Sequence, residues 1–210
     1  MATSLAKENI LKRIREALIN PVPLPFPQSE GSDSVYLNSP EEPVVIFAEE
    51  FTKLQGKFAF CTNEEDFNLQ LQQLILQRNW NKVYCIESEL QPSLEAINVA
   101  HYADLPSCDV AITCCEYLVA RTGTLVMSTV QQSGRTASVY TPVHICVAYS
   151  SQLVNDVNDA LQLMKEKYAD NFPSFTTFAS GPSRTADIEK TLVTGVHGPK
   201  EVFCFLIDNN

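Results

Sequence analysis

Apolar residues recur at helical spacing over residues 4–19. Leu5, Ile10, Leu11, Ile14, Ala17 and Leu18 are separated by Lys, Arg and Glu, which predicts an amphipathic helix. The run Pro21-Val22-Pro23-Leu24-Pro25-Phe26-Pro27 then puts proline at every second position. Proline cannot continue a helix and favours extended chain. Residues 28–40 are polar, with Gly31 and several serines, and read as a linker. Helix and linker form an arm over 1–40, ahead of a domain over 41–210. A short amphipathic helix is marginal by itself. It is expected to fold back on its own domain or to grip a second subunit, and the second choice makes a homo-oligomer.

Beyond residue 41 the pattern changes. Val44, Val45, Phe47, Ala48, Phe51 and Leu54 predict a helix that ends near Gly56, and 57–61 a strand. Thr62-x-x-Glu65 has the form of a capping box before a helical run from Phe67 to Leu76. Strands are predicted at 82–86 and 109–114, with a short helix at 90–99 between them. Strand signals at 125–129, 137–140 and 144–149 follow with no room for helices. A helix at 155–168 and strands at 175–179 and 201–207 complete the chain. Alternating strands and helices argue for a parallel sheet in an α/β domain. The crowded middle argues for some antiparallel pairing.

Composition narrows the function. The chain has 210 residues, 45% hydrophobic and 19% charged, enough for a sizeable core. Fifteen Lys and Arg against 25 Asp and Glu give a net charge of -10, which argues against nucleic acid as a partner. A local basic pocket remains compatible with that balance. No apolar stretch approaches the roughly 18 residues of a membrane span. Lys7, Glu8, Lys12 and Arg13 interrupt any signal-peptide core, so a cytoplasmic protein is expected. Seven cysteines occur without a Cys-x-x-Cys, so neither a zinc ribbon nor an iron–sulfur cluster motif is present. Buried, reduced thiols are expected.

Four segments could carry chemistry. Thr122-Gly123-Thr124 suits a tight bend exposing amides and hydroxyls to a carboxylate or phosphate, though by itself it suits better a plain turn into a strand. His144 stands at the start of an apolar strand, as a proton-transfer group or as a hydrogen-bonded core histidine. In Ser183-Arg184-Thr185, Ser183 could cap a following helix whose amides, with Arg184 and the hydroxyls, would receive an anion. Asp187 and Glu189 would oppose that anion and satisfy the helix dipole themselves. His197, between Gly195 and Gly198, lies in a loop before the last strand, where sites often form; a solvated loop histidine is the plain alternative. No spacing forces His144 and His197 onto one metal, so no metal is assigned. There is no Gly-x-Gly-x-x-Gly and no Walker lysine motif, and the cofactor is left unassigned.

Taken in order, CDVAITCCEYLVARTGTLVM at 108–127, TPVHICV at 141–147 and SGPSRTADIEKTLVTGVHGP at 180–199 resemble the lactate-utilisation protein C family of LUD-domain proteins. The resemblance runs from about Cys108 to Leu206. It implies a Rossmann-like α/β mixed sheet of the NagB/RpiA/CoA-transferase-like type behind an N-terminal helical arm. It also implies a part in oxidising L-lactate, or a related 2-hydroxy acid, to pyruvate. Family members act beside an iron–sulfur subunit of the glycolate-oxidase type and a LUD protein fused to ferredoxin-like cluster motifs. With no cluster motif here, electron transfer falls to such partners. Arg121 departs from the family, where an acid commonly precedes Thr-Gly-Thr. The reversed charge either favours an anionic ligand or weakens a family site, and Glu116 is the substitute acid.

The expected site is where Thr122, Gly123, Thr124, His144, Ser183, Arg184, Thr185 and His197 converge. Arg184 would hold a small carboxylate or phosphate, His197 or His144 would move the proton, and Glu116 is a further acid/base candidate. Two rivals stand beside this reading. One is a CoA- or sugar-phosphate-type transferase or isomerase by fold analogy, needing a carboxylate nucleophile such as Glu116. The other is a non-catalytic module that senses a carboxylate or docks the iron–sulfur partner.

Overall fold

The computed structural model describes residues 5–19, 40–185 and 193–209. Two units divide at Pro40. The first holds helix α1, Leu5–Leu18, with Glu8 in its first turn and Arg15 in its last, each suited to the helix dipole. The Pro-rich stretch and most of the polar linker lie outside the described residues.

In the second unit the strands are β1 (Lys57–Cys61), β2 (Val83–Tyr84), β3 (Val110–Cys114), β4 (Tyr117–Val119), β5 (Thr124–Ser128), β6 (Val143–Tyr149), β7 (Leu153–Val154), β8 (Thr176–Ala179), β9 (Arg184–Thr185), β10 (Val193–Thr194) and β11 (Glu201–Ile207). The helices are α2 (Pro43–Lys53), α3 (Glu64–Arg78), α4 (Gln91–Ala96), α5 (Ala137–Tyr140) and α6 (Val157–Tyr168). A five-stranded sheet runs β1-β11-β6-β3-β2, parallel throughout. A second sheet runs β7-β4-β5-β8, antiparallel except where β4 meets β7. β9 and β10 form a two-residue antiparallel ladder.

Strands buried on both faces read as near-continuous apolar runs, as β6 does but for His144 and β11 after Glu201. Alternate residues still part company. Ile145, Val147, Phe203 and Phe205 pack on Phe67 and Leu71 of α3 and Leu94 of α4. Cys146, Ala148, Cys204 and Leu206 pack on Phe47 and Phe51 of α2 and on Leu118, Leu125 and Met127 of the second sheet. The fold is thus α/β, with α3 and α4 on one face of the parallel sheet and α2 with the smaller mixed sheet on the other. Among the described residues no helix is long and apolar enough to cross a membrane.

Local departures from the sequence pattern have physical causes. Residues 137–140 form one turn of helix rather than a strand, with the N–H groups of Val139 and Tyr140 both donating to Thr136 O. A four-residue apolar run has no period that separates the two states. The helix cap is Asn63, one residue further on, and the reciprocal bond of a capping box is replaced by one to the residue before it. Asn63 accepts from the Asp66 N–H at 2.9 Å, and Asp66 accepts from the Thr62 N–H at 2.9 Å. The strand expected at 82–86 shrinks to two residues, and β4 is short enough to hide within an apolar run. Ser183 leads into β9, not directly into a helix.

Candidate functional site

β6 and β11 are parallel neighbours, so the segments that enter them meet at one end of the sheet. There Thr141, Pro142, Gly195–Gly198 and Lys200, with Val139 and Tyr140 from the end of α5, line an open pocket of about 500 Å³. Backbone bonds hold its walls. The Lys200 N–H donates to Pro142 O at 2.9 Å, and Thr141 Oγ1 donates to Val143 O at 2.6 Å. Ser183 fastens the loop at both ends, donating its N–H to Pro199 O at 3.0 Å and accepting from the Gly195 N–H at 2.9 Å. Gly195 has φ +77°, and a Cβ there would overlap the Lys200 side chain. Glycine is needed for the lysine stem to lie where it does.

His197 and Lys200 are exposed members of this lining. Glu201, next in sequence, does not neutralise Lys200. It pairs with Lys57 and, at 2.8 Å, with Arg78. Burial raises the Glu201 pKa, but those two cations outweigh it and hold the carboxyl below its ordinary value. Arg184 pairs across the ladder with Thr194, one residue before Gly195, and its side chain is exposed. Thr185 pairs with Val193. Residues 186–192, with Asp187 and Glu189, lie outside the described residues.

Thr122, Gly123 and Thr124 stand apart from the pocket lining. Thr124 Oγ1 is 2.7 Å from Thr122 Oγ1 and 2.6 Å from Ser180 Oγ. Gly123, at φ +54°, lies against the backbone of α2; a Cβ would meet Glu50 C at 2.6 Å and Phe51 Cα at 2.7 Å. Their nearest link to the pocket is the chain from Ser180 to Ser183. Arg121 grips Asp156 at the start of α6 through Nε at 2.9 Å and Nη2 at 2.5 Å. The basic residue that departs from the family pattern therefore has an internal carboxylate for a partner.

His144, one residue into β6, is 1% exposed, and its Nε2 lies 2.9 Å from Thr113 Oγ1. Burial lowers its pKa to about 4, so it is neutral at pH 7. Glu116 follows the far end of β3, at the opposite end of the parallel strands from His197. Its carboxylate accepts from Ser128 Oγ at 2.5 Å, Tyr168 OH at 2.8 Å and Lys167 Nζ at 2.8 Å. Burial raises its pKa, and these three partners more than reverse that, so the group is anionic. The structure thus ties Ser183 to the loop of His197, places Arg184 beside that loop but not among the residues that line the pocket, sets His144 at the same sheet end, and leaves Glu116 elsewhere. Among the described residues no three His, Cys, Asp or Glu side chains gather as a metal site requires. All seven cysteines are free, and six are buried. Lys200 and Tyr140 were not singled out by sequence. Lys200 carried one signal, its place directly after Gly198-Pro199 at the mouth of the last strand.

Comparison with known proteins gives this geometry a family. The model of the LUD domain matches residues 86–207, more than half of the chain. The lactate utilization protein C of Bacillus licheniformis is 32% identical over 103 residues, 48% of this chain and 43% of that one. The lactate utilization protein C of Halalkalibacterium halodurans is 36% identical over 101 residues, 47% of this chain and 44% of that one. The matched stretch spans less than half the length of each relative. A crystal structure of a DUF162 family protein from Deinococcus radiodurans superposes with a TM-score of 0.57 at 18% identity, covering 80% of this chain and 99% of that one. That likeness is one of fold. The chain belongs to the LUD-domain family.

Proposed function

We propose that this chain works in lactate utilisation, binding L-lactate or a related 2-hydroxy acid for oxidation to pyruvate beside iron–sulfur partner proteins. The observation that carries the reading is the shared pocket of His197 and Lys200, in a loop tied by Ser183 to the strand of Arg184. Lys200 and Arg184 would hold the carboxylate, Arg184 through its planar fork. His197 would take the hydroxyl proton. With the hydroxyl proton on His197, the C2–H bond breaks and its hydrogen leaves as a hydride, carrying both electrons to a hydride acceptor on the partner proteins, from which the electrons would pass to the iron–sulfur centres. The names of the relatives, lactate utilization protein C, support the substrate class.

Acyl transfer through a carboxylate nucleophile is the weaker reading. Glu116, its candidate, is buried under Ser128, Tyr168 and Lys167. A nucleophile needs a free, accessible oxygen, which supports giving Glu116 to the fold.

A thermal-shift series tests the proposal. The wild type, His197→Ala and Arg184→Ala would be heated with L-lactate, glycolate, pyruvate, inorganic phosphate and CoA. A ligand that binds only the folded chain raises its melting temperature. Stabilisation by 2-hydroxy acids that fades in both variants is the expected result. Stabilisation by CoA alone would move the assignment to group transfer.

A further inference from the structure

We propose that the pocket at the entry to β6 and β11 prefers a 2-hydroxy acid with an aromatic group on C3, of the phenyllactate type, over lactate itself. This rests on the carboxylate reading above and adds the rest of the ligand. The pocket measures about 500 Å³. Lactate has six non-hydrogen atoms, and at about 30 Å³ apiece, the share of a water in the liquid, it fills at most about 180 Å³. Small-molecule sites enclose most of their ligand. A three-carbon acid held at Lys200 would leave most of this space to water.

Apart from Thr141, whose hydroxyl is taken up by Val143 O, and two glycines, the remaining lining is apolar or aromatic. Val139, Tyr140, Pro142 and Val196 surround the two polar groups, His197 and Lys200. Tyr140 is 69% exposed and Val196 55% exposed, so the pocket presents a ring and a branched apolar side chain at its surface. A ligand with carboxylate and hydroxyl at one end and a neutral ring at the other matches this division. Its charged end meets Lys200 and His197, and its ring covers Val196 and stacks against Tyr140. An aromatic arm fits better than a second charged group, because the apolar wall offers no charge to meet one.

Calorimetric titration of the full chain with L-lactate and with L-3-phenyllactate decides the matter. Variants Tyr140→Ala and Val196→Ser serve as probes. Both replace exposed side chains, and unchanged melting temperatures without ligand would confirm that each folds. Phenyllactate is expected to bind on the order of tenfold more tightly than lactate, from burial of its ring. Each variant should cut the preference for phenyllactate over lactate several-fold. Equal affinity for the two acids, or a preference that survives both variants, overturns this inference and leaves the carboxylate reading standing. Binding of neither acid overturns both.

Discussion

The backbone N–H of Lys200 donates to the carbonyl oxygen of Pro142 at 2.9 Å, joining the entries of two adjacent parallel strands. The bond carries the parallel register of β6 and β11 past their ends. It fixes the wall bearing His197 and Lys200 against the wall bearing Thr141 and Tyr140. A site made at a strand entry takes its rigidity from that register, although its side chains come from loops.

Lys200→Ala should weaken binding of a 2-hydroxy acid about fivefold, near 1 kcal/mol for an exposed charge-assisted contact. Gly195→Ala should weaken it as well while keeping the lysine, because the new Cβ displaces the Lys200 stem. Titration of both variants checks this. Unchanged affinity in Gly195→Ala would mean that the position of the stem does not matter.

Gly123→Ala should lower stability by about 3 kcal/mol or more, from a left-handed backbone bearing a side chain plus overlap with α2. For a chain of this length that is a fall of roughly 6–12 °C in melting temperature. Ligand affinity should change little in the folded fraction. Urea melts and titration of the same sample separate the two effects.

Burial holds His144 at about 4, below its ordinary 6.5. Below pH 6.5 the unfolded chain takes up a proton here that the folded chain refuses, so this contribution is complete above 6.5 and is lost as pH falls toward 4. Its size is about 3 kcal/mol. His144→Gln should be less stable at pH 7, and its stability should fall less between pH 6.5 and 4 than that of the wild type. Parallel slopes in urea melts across that range would show that His144 titrates normally.

Lys167→Met leaves the Glu116 carboxylate buried with Ser128 and Tyr168 alone. Glu116 is 2% exposed at its side chain and Lys167 52%. Breaking the pair should cost about 2–3 kcal/mol, low in the range for buried pairs because the lysine is half in water. Glu116→Gln should also destabilise, yet keep ligand affinity, since Glu116 lies at the other end of the parallel strands from His197. Loss of binding in a folded Glu116→Gln protein would return Glu116 to the site.

Much of the fold was legible in the sequence. β1, β3, β6, β11, α2 and α6 follow from long apolar runs and clear period. The site was legible only in part. Ser183, Arg184 and His197 stood out because Gly and Pro mark their loops, and a loop residue is not explained by core packing. Glu116 and His144 stood out by residue type alone, which cannot separate a reacting group from one already satisfied. Those facts lie in Lys167, Tyr168 and Thr113, which are distant in sequence or carry no motif. Tyr140 was hidden because a four-residue apolar stretch hides its own secondary structure. The value of Lys200 appears only once β6 and β11 are known to be neighbours.

The most direct measurement uses the three histidines, His101, His144 and His197. With ¹³C-labelled histidine, the ring resonances are followed by NMR as L-lactate is added. His144 is enclosed and His101 rests 5.5 Å from the Tyr84 ring, so both act as internal controls. The His197 resonances alone should move, saturably, and the movement should weaken in Lys200→Ala. A His197 signal that stays still while the protein binds lactate, or movement confined to His101, would contradict the assignment of this pocket.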